Sequence, residues 1–185
     1  MDQNERILGY HFFSGLFLGT FPPELMSAWG AVAELLALSE EETSSVSNTD
    51  VTELQRAWAR TFFGVGEETV TLTESSWGNP LRLQCQAPCL SAQATYREAG
   101  VLPEETADRL FDDHVSMMLG FMGWALSNDY DPQKTKRFFH EHFGYWIDAL
   151  VAASLARLDN EAAKTLFRAF LSFIESERAL FSEAS

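Results

Sequence analysis

The stretch from Pro103 to Leu126, PEETADRLFDDHVSMMLGFMGWAL, most limits what this chain can fold into. It opens as helices open. Pro103 sits near the start, where its missing N–H costs nothing, and Glu104, Glu105 and Asp108 lie in the first turns, where carboxylates meet the positive end of the helix dipole. Leu110, Met117, Phe121 and Trp124 then recur at helical spacing, with Val115, Met118, Leu119 and Met122 on a second stripe. A helix apolar around so much of its girth belongs at the centre of a fold. Yet Asp112, Asp113 and His114 fall in its middle. Either they are satisfied polar groups at a helix–helix seam, or they line a binding groove.

The helical period extends over most of the remaining chain. Residues 4–20 predict a first helix, broken at Phe21-Pro22-Pro23, and one of these prolines starts a second helix running to about Leu38. Residues 39–50, polar and acidic, read as a surface loop. Asp50 or Thr52 caps a third helix that ends near Gly64 and Gly66. Residues 67–90 lack a helical period and hold Trp77 within turn chemistry, Glu74-Ser75-Ser76-Trp77-Gly78-Asn79-Pro80. A long irregular loop in a compact domain is often functional. Further helices are expected at 91–99, from Asp131-Pro132 with a kink at Gly144, and after Asp159 or Asn160. The expectation is an all-α fold: one domain spanning 1–185, a bundle of about seven to nine helices with an irregular Trp-containing loop.

Charge narrows the partners. The chain of 185 residues carries a formal net charge of -14. That argues against nucleic acid, whose phosphates need a basic surface, and suits a cationic partner. The acidic, polar start MDQNER is unlike a secretory signal, and the apolar stretch Ile7 to Phe21 is too short to span a bilayer. A cytoplasmic protein without stable membrane insertion is expected. Cys85 and Cys89 have a spacing that lets two side chains meet on a helix, but Pro88 lies between them, and reduced thiols are expected.

Enzyme chemistry finds little support. His140-Glu141-His142 places its histidines on different helix faces, unlike the i, i+4 pair of a zinc helix, so no metal site is expected. Asp113-His114 with Ser75, Ser76 or Ser116 has no nucleophile elbow to make it a hydrolytic triad, and no glycine-rich phosphate loop is present. His114, one turn after Leu110 and one before Met118, suits a satisfied core or seam residue. The carboxylates beside it also suit a cationic ligand. Trp77 either plugs the bundle or forms part of a wall for a peptide.

Four features together resemble the TorD/DmsD/NarJ-type redox-enzyme maturation chaperones. They are YHFFSGLFLGTFPPELMSAW near the start, the ESSWGNP loop, Asp113-His114 ahead of an apolar run, and FFHEHFGYWIDALVAASL with His142 and Trp146. Phe111-Asp112 stands where many members have a proline-containing approach. The resemblance implies a cytoplasmic, cofactor-free, non-enzymatic chaperone, a monomer or a swapped dimer. It would bind the twin-arginine leader peptide and the apo form of a molybdopterin-containing oxidoreductase subunit, assist cofactor insertion and delay export. On that reading Asp112 and Asp113 attract the arginines, His114 and Trp77 shape the groove, and Trp146 lies nearby. The pair Asp113-His114 is expected on a helix edge along a cleft, within reach of the Trp77 loop. The rival readings are a helical small-ligand-binding or regulatory protein and, behind it, a metal-dependent hydrolase.

Overall fold

The computed structural model describes residues 1–64, 69–78, 80–101 and 110–183. Among these there are nine α-helices: α1 (Gln3–Leu16), α2 (Pro23–Leu35), α3 (Glu40–Ser47), α4 (Val51–Phe62), α5 (Ala87–Glu98), α6 (Val115–Ser127), α7 (Pro132–Phe143), α8 (Ile147–Arg157) and α9 (Glu161–Glu183). A single 3-10 turn covers Glu74–Ser76. The all-α bundle expected from periodicity is what the chain forms. Among the described residues no helix is long and apolar enough to cross a membrane.

Local chemistry sets most helix starts. Asp2 and Glu5 form a capping box on α1, Pro23 occupies the first turn of α2, and Asp50 caps α4 through the Thr52 N–H. Asp131 accepts from the N–H groups of Gln133 and Lys134 to start α7, and Asn160 accepts from the Ala163 N–H at the head of α9. The segment read as a surface loop contains α3. Ser39 and Glu42 cap it reciprocally, with Glu42 N–H to Ser39 Oγ at 3.2 Å and Ser39 N–H to Glu42 Oε2 at 2.9 Å. Its few apolar positions hid the helix, yet Val46 is buried and the Trp29 indole donates to the Thr43 carbonyl at 3.0 Å.

The central helix begins later than periodicity predicts. Residues 110–114 are not helical, and α6 starts at Val115 with His114 as its N-cap. Asp112, Asp113 and His114 therefore lie ahead of the helix rather than in its middle. The reason is a competing partner. Thr73 and His114 form an antiparallel bridge, and the Val115 N–H donates to the Leu72 carbonyl at 2.9 Å, which removes this backbone from a helical ladder. The expected start at Pro103, with Glu104, Glu105 and Asp108, lies outside the described residues.

One aromatic-rich core joins the elements. α6 packs along α1, and a Cβ on Gly123 would come within 2.9 Å of the His11 ring, so glycine permits the close approach. α9 runs against α3, α4 and α8 and presents Leu166, Phe167, Phe170, Phe173 and Ile174, all fully buried. Burying each such side chain is worth about 1.5–3 kcal/mol. Phe17 meets Phe170 edge to face at 4.9 Å, and Phe62 stacks on Phe167 at 5.5 Å. At the α1–α9 seam Glu177 accepts from Arg6 Nε at 2.7 Å, from Arg6 Nη2 at 2.8 Å and from the Tyr10 hydroxyl at 2.6 Å.

Candidate functional site

The irregular segment after α4 is held down by the turn that precedes α6. The Glu74 N–H donates to the Asp113 carbonyl at 3.0 Å. The Ser75 N–H donates to Asp113 Oδ2 at 2.8 Å, and the Ser75 hydroxyl donates to the same oxygen. Ser75 Oγ in turn accepts from the Gln86 N–H at 2.9 Å, which binds the approach to α5 into the same junction. Asp113 is 0 % exposed, and its other oxygen, Oδ1, is buried with no hydrogen-bond partner among the described residues. Asp112 is 5 % exposed; it accepts from Gln93 Nε2 at 3.0 Å, and its carbonyl accepts from the Tyr96 hydroxyl at 2.9 Å.

His114 caps α6 through Nδ1, which accepts from the Ser116 N–H at 3.1 Å. That bond requires the neutral ring with its proton on Nε2. Burial favours the same form and lowers the pKa of His114 to about 4. Ser116 is also bonded to α1, its hydroxyl donating to the Ser14 carbonyl at 2.7 Å while the Ser14 hydroxyl donates back to the Ser116 carbonyl at 2.8 Å.

A second buried contact lies across the loop. His142 Nδ1 and Glu74 Oε2 are 2.6 Å apart, and because a carboxylate only accepts, the imidazole donates. His142 Nε2 is buried without a partner among the described residues. The Trp146 indole donates to the His142 carbonyl at 2.7 Å, and its ring lies 6.4 Å from the half-buried Trp77, whose own N–H reaches the Thr71 carbonyl at 3.1 Å. Tyr145 reaches over this loop: a Cβ on Gly78 would sit 3.4 Å from its hydroxyl. The Tyr145 pKa is raised, first by its partial burial and then by the charge of Glu74.

Of the hollows around the junction, two differ in chemistry. One, of about 350 Å³, lies between α1 and α6 and is apolar, with Leu18, Val101, Met117, Phe121 and Trp124 in its wall. Tyr96 and Ser116 line it too, so the hydrogen bonds of Asp112 and His114 position its edge. The other, of about 400 Å³, is polar and lies beside Trp77 with Arg82 and Arg157. The Arg82 guanidinium stands 5.9 Å from the Trp77 ring centre. Among the described residues no three His, Cys, Asp or Glu side chains are grouped to hold a metal ion.

A family model described as nitrate reductase delta subunit matches residues 16–152. The chain belongs to that family. It is a family of molybdoenzyme-maturation chaperones rather than of catalytic enzymes. The matched span runs from the end of α1 into α8 and takes in the Trp77 loop, the Asp112–His114 turn, Trp146 and the apolar hollow's lining apart from Ser14. No curated protein matches the chain.

Within this family fold the five residues singled out from sequence fall into two groups. Asp112, Asp113 and His114 are buried in the junction, and Asp113 reaches the Trp77 loop directly through Ser75. Trp77 and Trp146 face each other across that loop, but Trp146 is buried. Asp113 and His114, expected on a helix edge along a cleft, are buried in the turn ahead of α6 instead, and the expected reach to the Trp77 loop is made through Ser75. Sequence reasoning passed over Ser75 as an organising residue and Glu74 as the partner of His142. The spacing of 68 positions between Glu74 and His142 leaves no local signal for that pair.

Proposed function

We propose that this chaperone binds the twin-arginine leader of a molybdopterin-containing oxidoreductase subunit in the cytoplasm, keeping the apo-subunit from export until its cofactor is inserted. The observation that carries the reading is the apolar α1–α6 hollow on a chain of net charge -14. A leader of this kind joins two cations to an apolar stretch. The hollow suits the apolar stretch, and the protein's overall charge draws in the arginines. Trp77 offers a second aromatic surface. Asp112, Asp113, His114 and Trp146 act by holding the loop and the hollow's edge in place, a role that suits their burial better than direct contact with arginine.

Calorimetric titration of the whole chain with a synthetic leader peptide tests this. The peptide carries the arginine pair and the apolar segment, and a control replaces both arginines with glutamine. Met117→Glu, which puts a carboxylate into the hollow, is expected to weaken binding at least about tenfold. Trp77→Ala should weaken it less, and added salt should weaken it throughout. No binding of the leader would sink the functional reading. A Met117→Glu protein that binds normally while Trp77→Ala does not would move the peptide to the Trp77 face.

A further inference from the structure

Cys85 and Cys89 lie beside the junction, and the chaperone reading gives them no task. Both are free thiols, with Cys85 exposed and Cys89 buried. Their sulfurs are 2.9 Å apart, against about 2.04 Å in a formed disulfide. Pro88 does not separate them as the sequence suggested. It occupies the first turn of α5, where proline costs no hydrogen bond, and Cys85 precedes the N-cap residue Gln86. Cys85 takes a left-handed conformation, φ 51°, that is uncommon for a residue with a Cβ. With this backbone Cys85 turns its side chain back over the first helical turn, onto Cys89.

The pair is coupled to the loop on two sides. Gln86, next to Cys85, donates its N–H to Ser75 Oγ, which donates to Asp113. Cys89 receives a backbone hydrogen bond from Asp112. Burial, then the contact with Cys85, pushes the Cys89 thiol up to about 12, so it stays protonated while Cys85 is the sulfur a small reagent meets first.

We propose that Cys85 and Cys89 form a reversible dithiol–disulfide pair, oxidised by a small disulfide of the glutathione type, whose closure is transmitted to the Ser75–Asp113 junction. In the first step the Cys85 thiolate attacks the small disulfide, forming a mixed disulfide and releasing one small thiolate. In the second the Cys89 sulfur attacks the Cys85 sulfur of that mixed disulfide. The Cys85–Cys89 bond forms, the second small thiol leaves, and the Cys89 proton passes to it. The two protein thiols lose two electrons and two protons in all, and the small disulfide is reduced to two thiols.

The test equilibrates the whole chain with glutathione at stepped ratios of oxidised to reduced form, then traps free thiols with an alkylating reagent and weighs the intact protein. The expected product lacks both alkyl groups, is lighter by two hydrogens, and returns to the dithiol in reduced glutathione. Cys89→Ser should stop at a glutathione adduct on Cys85, and Cys85→Ser should stay unmodified. Hydrogen exchange at the Ser75 and Gln86 amides should differ at least about threefold between the reduced and oxidised proteins. A wild-type protein that stops at the glutathione adduct, links to a second chain, or stays fully alkylated at every ratio overturns the pair. A disulfide that forms with exchange at Ser75 and Gln86 unchanged overturns its transmission to the junction.

Discussion

Glu177 and Asp113 are both carboxylates with no exposure at all, yet their surroundings are opposites. Glu177, at the α1–α9 seam, uses both oxygens, held by two Arg6 nitrogens and the Tyr10 hydroxyl. A counter-charge is present, and no carboxylate oxygen lacks a partner. Among the described residues Asp113 places its side-chain bonds on one oxygen, both from Ser75, and the other has no partner. The first arrangement is closed: it joins two helices, and both carboxylate oxygens are held there by a counter-charge and a hydroxyl. The second joins a loop to a turn through the neutral donors of Ser75, with no counter-charge on it among the described residues, and such a junction is easier to shift.

Breaking the closed site should cost the most. Glu177→Leu leaves the Arg6 guanidinium and the Tyr10 hydroxyl without their acceptor and is expected to lower stability by about 3–5 kcal/mol, read from urea denaturation. Adding Arg6→Met should recover part of that loss, because a buried pair replaced whole costs less than one broken in half. A single-mutant cost near zero would mean that Arg6, Tyr10 and Glu177 do not act as one closed unit.

Acid should separate the two regions next. His114, at the junction with the Trp77 loop, has its pKa depressed by burial to about 4 in the folded protein, from 6.5. The unfolded chain therefore takes up the proton first. The stabilising contribution is complete above pH 6.5 and is lost as pH falls toward 4, on the order of 3 kcal/mol in all. His114→Asn keeps a capping side chain but no titrating ring, so its denaturation midpoint should fall less between pH 7 and pH 4.5. At the seam, burial and then the charge of Glu177 push the Tyr10 phenol well above its ordinary value, so it stays neutral over this range. Equal pH slopes in the His114→Asn and wild-type proteins would remove His114 from this account.

The smallest effect is expected at Asp113 itself. Asp113→Ala takes the acceptor from two Ser75 donors and should cost about 1–3 kcal/mol, less than the loss at Glu177. Asp113→Asn keeps an oxygen that can accept and should cost less still. The same urea titrations decide the order, and a reversal would make the junction, not the seam, the stronger tie.

What could be read from the sequence was whatever local chemistry decides. Pro22-Pro23, Asp50, Asp131-Pro132 and Asn160 mark helix starts because capping acts within a few residues, and the apolar stripe of the last helix shows in α9. The fold class followed from such signals. The Asp112–His114 turn was misplaced because the backbone that competes for it belongs to Leu72 and Thr73, about 40 positions away. The periodicity around Leu110 and Met117 is consistent with a helix and carries no trace of that partner. α3 was missed for the opposite reason: its capping box is local, but its polar composition resembles a loop. For the candidate site, sequence supplied Trp77, Asp113 and Trp146 as neighbours through the family resemblance. It did not supply their burial, which depends on what packs over them.

The placement of α9 has a consequence for how the protein is made. Its aromatic face fills the space against Phe13, Phe17 and Trp58, which come from the first third of the chain. A nascent chain leaves the ribosome with those early rings still lacking their partners, and they stay so until the residues around Phe167 to Phe173 have emerged. During that interval the rings of Phe13, Phe17 and Trp58 are without the α9 side chains that cover them in the folded protein.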